Sequence, residues 1–165
     1  MKKLLFVLLF VLALPVAAKE YYNEEYNFSL EIPDYYSAEN PANFLDEDGV
    51  VMAFTDQNDG SNMVFKVEHS DEYEVEANEV LLLRKNMKNY LDIHHLKPYA
   101  NGITKVNPNH MGMFFYCHSG HGVDHLLFQF CAHHLVYTLK TVQPLNPQKT
   151  NDFTKIIQTL ACKKH

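Results

Sequence analysis

Hydrophobic and polar positions alternate along most of this chain, and the period of the alternation changes twice. Tyr26, Phe28, Leu30 and Ile32 fall at every second position, which predicts a strand with one buried face that Pro33 ends. Residues 34–48 mix Pro, Asn, Ser and acids and read as a loop. Apolar runs at 49–54 and 63–67 predict two strands, and Asp59-Gly60 between them is a hairpin turn signal. The period then lengthens. Ser70 can cap a helix whose first turn holds Asp71 and Glu72, and Ala77, Val80, Leu81, Met87, Tyr90 and Leu91 recur near helical spacing up to about residue 92. Residues 97–107 are weakly strand-like and interrupted by Asn101-Gly102. Three strong strands follow at 111–118, 124–131 and 135–141. A closing helix is capped by Asn146, starts with Pro147, and carries Phe153, Ile156, Ile157 and Leu160 as its apolar stripe.

The late strands suggest the fold class. Pairing 118 with 124 around the loop 119–123 puts Met111, Met113, Phe115, Cys117, His125, Leu127, Gln129 and Cys131 on one face. Phe114, Tyr116, Leu126, Phe128 and Phe130 take the other. Both faces are largely apolar, whereas a sheet covered on one side would alternate cleanly. The expectation is an α+β fold: an antiparallel β-sheet covered by helices on both faces, with layers from 72–91 and 147–161.

The N-terminus departs from both periods. Lys2-Lys3, the unbroken apolar run 4–14 and the small residues before Lys19 follow the zones of a secretory signal peptide, so 1–18 is read as the signal and 19–165 as a single domain. The apolar run is shorter than the ~20 residues of a membrane-spanning helix. No cysteine stands at the cleavage point to take a lipid. The expected product is secreted or periplasmic, soluble, not a lipoprotein, and without stable membrane insertion after cleavage. The chain has 14 basic and 20 acidic residues, a net charge of −6. Losing Lys2 and Lys3 with the signal makes it more negative still. That balance argues against nucleic acid as a partner, because phosphates need a basic stripe.

The order of elements also carries a resemblance. Tyr26-x-Phe28-x-Leu30-x-Ile32-Pro33, the strand 49–54, Asn86-Met87-Lys88, Asn101-Gly102-Ile103, Gln129-Phe130, Tyr137-Thr138-Leu139 and Phe153-x-x-Ile156-Ile157-x-x-Leu160 resemble the Mog1/PsbP-like superfamily, including small secreted bacterial members related to the periplasmic protein DcrB. The resemblance spans roughly 22–162. It implies an α/β/α sandwich and non-enzymatic accessory or assembly work, as in the photosystem II extrinsic subunit and the Ran-binding Mog1. It supplies no catalytic residues, and its motifs are packing motifs. Ala132-His133-His134 departs from it, standing where members often turn with Asp-Gly.

Candidate chemistry concentrates in the hairpin 117–134. Of ten histidines, five lie within 118–134. Cys117, His121 and His125, with His118 or Asp124 as a fourth donor, could approach tetrahedral Zn ligation, and imidazoles also suit Cu or Ni. The competing reading is a polar turn in which histidine is merely the polar residue used. His94, His95 and His165 read as surface residues. Cys117 beside His118 or His125 is the pair a cysteine enzyme would need, but no oriented base or oxyanion site accompanies it, so the chain is expected not to be an enzyme.

Three cysteines outside the cytoplasm allow one bridge, and the closing helix returns Cys162 toward the 131–135 turn, making Cys131–Cys162 the reachable pair. Asp46-Glu47-Asp48-Gly49 lacks the pattern of a calcium-binding EF-hand loop and reads as solvated. Tyr21, Tyr22, Tyr35 and Tyr36 border the first strand, as an interaction surface or as cover for a sheet edge. The expected partner is an unidentified envelope or secreted protein.

Overall fold

The computed structural model describes residues 17–44, 48–70, 79–107, 110–132 and 134–162. The signal-peptide reading falls mainly on 1–16, and the expected first turn of the helix on 71–78; both lie outside the described residues. Strands β1 (Ala18–Asn23), β2 (Phe28–Pro33) and β3 (Tyr36–Glu39) lead to β4 (Val50–Asp56) and β5 (Asn62–His69). Helix α1 (Glu79–Ile93) precedes four long strands: β6 (Lys97–Asn107), β7 (His110–His118), β8 (Val123–Ala132) and β9 (Leu135–Pro144). Helix α2 (Pro147–Thr159) and the short β10 (Ala161–Cys162) close the chain.

The strands form two sheets. A seven-stranded antiparallel sheet runs β3-β4-β5-β9-β8-β7-β6, and a three-stranded one runs β1-β2-β10. His118 pairs with Asp124 and Cys117 with His125, the register expected from the pattern. Alternation then assigns the faces. Met113, Leu127, Cys131 and Val136 meet Leu82, Leu83 and Met87 of α1. Tyr116, Leu126, Phe128, Phe130, Tyr137 and Leu139 point the other way.

What covers that second face overturns the expected fold class. Helices do not cover the large sheet on both faces. Phe28, Leu30 and Ile32 of β2 pack there in one core with Phe153, Ile156, Ile157 and Leu160 of α2. The protein is mostly antiparallel strand, with two α-helices among the described residues. A second sheet shares the cover with α2. The alternation read over 26–32 gives a strand only from Phe28 to Pro33, with Tyr26 and Asn27 in the preceding turn, and a buried face does not say which sheet the strand belongs to. β1 and β3 were not read from sequence, because their residues are exposed or mixed in character. Ala18 pairs with Pro33, so the expected cleavage point lies at the first residue of β1.

The larger core is aromatic. Phe28 stacks on Phe65 at 4.2 Å, and Phe130 lies parallel to Tyr137 at 4.4 Å. Phe128 is fully buried and presses on Gly112, where an added Cβ would fall 2.2 Å from its ring. Only a residue without a side chain fits there. On α2, the Asn146 side chain accepts the Gln148 N–H at 3.0 Å, which satisfies one of the open donors of the first turn. All four residues of its predicted apolar stripe are buried.

Candidate functional site

The β7–β8 hairpin turns through 119–122, with Gly122 at φ 72° and the Ser119 N–H donating to the Val123 carbonyl at 2.8 Å. Adjacent strand residues point to opposite faces, so this turn divides the histidines instead of gathering them. His118 and Asp124 point toward the aromatic side. There the His118 Nδ1 lies 2.6 Å from Oδ1 of Asp124, whose carboxyl is buried, and the Tyr99 ring stacks on the imidazole at 4.0 Å. Burial raises the Tyr99 hydroxyl above its ordinary value, a hydrogen bond with Thr150 opposes the rise, and the Asp124 charge adds to it. Gln143 stands across from Asp124 on β9, and its buried side-chain amide finds no hydrogen-bond partner among the described residues.

Cys117 and His125 face α1. His125 Nδ1 lies 3.4 Å from the Tyr90 hydroxyl, and its ring centroid is 6.3 Å from that of His94. Burial holds His125 below its ordinary value, with His94 and Lys140 adding to the effect. Burial and the Asp124 charge push the Cys117 thiol up to about 11, the opposite of an activated nucleophile. His121 stays exposed in the turn. The expected set Cys117, His118, His121 and His125 therefore does not converge. Among the described residues no three His, Cys, Asp or Glu side chains gather where they could hold a metal ion. His94 is exposed, as read, and its ring nonetheless comes within 6.3 Å of that of His125; a helix end meeting a distant strand leaves no local signal.

The cysteine pair is also separated. α2 does bring Cys162 back beside Tyr137, whose hydroxyl burial and the Cys162 sulfur push up to about 12. Cys131, however, packs with α1 on the other face of the sheet, while Cys162 packs with the aromatic core. Both residues lie near the same sheet end, yet the sheet stands between them, and no disulfide forms among the described residues. The four tyrosines do not share one surface. Tyr21 packs edge-on against Phe54 at 4.8 Å, Tyr22 is exposed, Tyr35 donates to Asp152 at 2.8 Å, and Tyr36 is buried.

Sequence reasoning missed a buried polar network under the first turns of α2. Lys149 Nζ lies 2.7 Å from Asp56 Oδ2, also pairs with Asp59, and donates to Ser61 Oγ at 3.2 Å. Burial pushes the Asp59 carboxyl up, but the Lys149 and Ser61 hydrogen bonds outweigh it and leave it below its ordinary value. This network ties the β4–β5 hairpin to α2. A signal was present: Lys149 stands four residues before Phe153, on the helix's own apolar stripe.

On the other side of the sheet, α1 leaves an open groove of about 350 Å³ beside the edge strand β6, lined by Arg84, Asn101, Gly102, Ile103, Met113 and Phe115. No helix among the described residues is long and apolar enough to cross a membrane.

No protein-family model and no curated protein matches the chain. Among solved structures, it is similar to cyanobacterial PsbP (CyanoP) from Synechocystis sp. PCC 6803. The match has a TM-score of 0.64 at 9% identity and covers 90% of this chain and 94% of that one. That likeness over nine-tenths of the chain shows a PsbP-like fold.

Proposed function

We propose that this chain is a secreted or periplasmic, non-enzymatic accessory protein that acts by binding an envelope or secreted protein. The observation that carries the reading is the PsbP-like fold over nine-tenths of the chain. The hairpin supports it through the thiol: burial raises Cys117, which points away from His118 and faces His125 across the β7–β8 pair, against the activation a nucleophile needs. The basic-then-apolar start of the chain supports export, and small secreted Mog1/PsbP-like bacterial proteins are the relatives this reading points to.

The test is fractionation of the producing cell with N-terminal sequencing, followed by crosslinking in the extracytoplasmic fraction. The expected result is a soluble protein beginning at Lys19, crosslinked to one reproducible protein partner. Uncleaved protein confined to the cytosol would sink the localisation. Reproducible turnover of a substrate by the purified protein would sink the non-enzymatic role.

A further inference from the structure

We infer that the groove between α1 and β6 is a docking site for a partner-protein segment carrying an acidic side chain beside an apolar one. The inference rests on the accessory reading above and names its surface. Its first support is chemical. Arg84 is the single arginine of the chain, it is exposed, and it lines this groove. A guanidinium presents a planar fork of donors matched to a carboxylate, which a lysine does not.

The second support is the floor. Ile103 pairs with Met113 and Asn101 with Phe115, so all four side chains project to the α1 side of the sheet. Met113 is buried and Phe115 partly buried, while Ile103 remains 41% exposed on an edge strand. Apolar lining with a few placed polar groups is the make-up of a ligand site.

The third support is charge. None of the six lining residues is acidic, although acids outnumber bases in the chain 20 to 14. Lys88 is exposed one turn beyond Arg84 on the same side of α1, and Lys105 is exposed two residues beyond Ile103 on the same face of β6. A local cationic rim on an acidic protein complements an acidic segment and repels basic ones. The outer edge of β6 pairs with no strand among the described residues, although β10 packs near part of β6, so a segment adding to this edge would meet unpaired backbone groups.

The experiment is selection of a random dodecapeptide display library on the intact protein, followed by fluorescence polarisation with the selected peptides. Enrichment of Asp or Glu next to Leu, Ile, Val or Phe is expected. Arg84→Glu should weaken those peptides roughly tenfold or more, and Arg84→Lys less, because a hydrogen bond to a charged group is lost or impaired. Selection on Arg84→Glu should shift the preference toward Lys and Arg. Arg84 is exposed, so the variants should keep the native circular dichroism; Ile103→Ser, tested beside them, should weaken the same peptides. No enrichment, a basic consensus, or binding indifferent to both substitutions overturns the inference. So does binding of decanoate at this groove without peptide binding, which would make it a small-molecule site. If the crosslinked partner is captured equally by wild type and Arg84→Glu, the groove fails as the docking site while the accessory role stands.

Discussion

The two faces of the seven-stranded sheet are both apolar, but they are finished differently. The face under β2 and α2 is filled by a continuous aromatic core and tied at one end by the buried Lys149–Asp56–Asp59 network, with a groove of about 250 Å³ left between β2 and α2 in the layer that covers it. The face under α1 holds a smaller cluster around Leu82, Leu83 and Met87, and beside it the sheet stays open as a groove. A helix and a second sheet together span the width of a large sheet; a single helix does not. The difference assigns stability to one face and leaves the other with surface to offer a partner.

The largest effects should break that comparison through stability. Leu126→Ala, on the aromatic face, should cost about 4 kcal/mol, and Leu83→Ala, equally buried under α1, nearer 2 kcal/mol, in denaturant unfolding. The smaller cost is expected because the α1 cluster is smaller and borders open surface, where the site can collapse more easily. Equal costs would erase the distinction. Next, Lys149→Met should cost about 3 kcal/mol, because it strands the fully buried Asp56 carboxylate, and adding Asp56→Asn should recover part of the loss. If Lys149→Met were neutral, the network would not be the tie it is taken for.

The smallest effect concerns pH and should make the faces look alike. Burial pushes Cys117, on the α1 side, and Cys162, on the aromatic side, each up to about 11 from an ordinary 9.0. The folded state therefore keeps protons that the unfolded chain releases earlier. The resulting stability is whole below about pH 9 and fades as pH climbs toward 11. In native protein at pH 9 both thiols should alkylate more slowly than a small-molecule thiol. Cys117 reacting at the model rate would show that α1 does not exclude water from its end of the sheet.

Much of the fold was legible along the chain. Strands β7 to β9, the register joining His118 to Asp124, and α2 with its Asn146 cap all followed from period and local capping, which involve neighbours in sequence. The α1 helix was legible as a helix from Val80 to about Asp92, but its buried face was not: Leu81, read into the apolar stripe, is exposed, and Leu82 and Leu83 fill the core beside Met87. The candidate sites were less legible. His118 and Cys117 are adjacent in sequence and separated by the thickness of the sheet, while His94 and His125 are far apart in sequence and neighbours in space. Lys149 reaches Asp59 across 90 positions.

The sequence by itself determined which segments alternate, where they turn, and that both faces of the central hairpin need cover. Periodicity records that a side chain is buried, and it does so because each residue's own burial selects its own polarity. Tertiary structure decided what does the burying: a second sheet in place of a second helical layer, a sheet between Cys131 and Cys162, and an arginine at the mouth of a groove. Those outcomes depend on contacts between distant segments, and no single segment's pattern contains them.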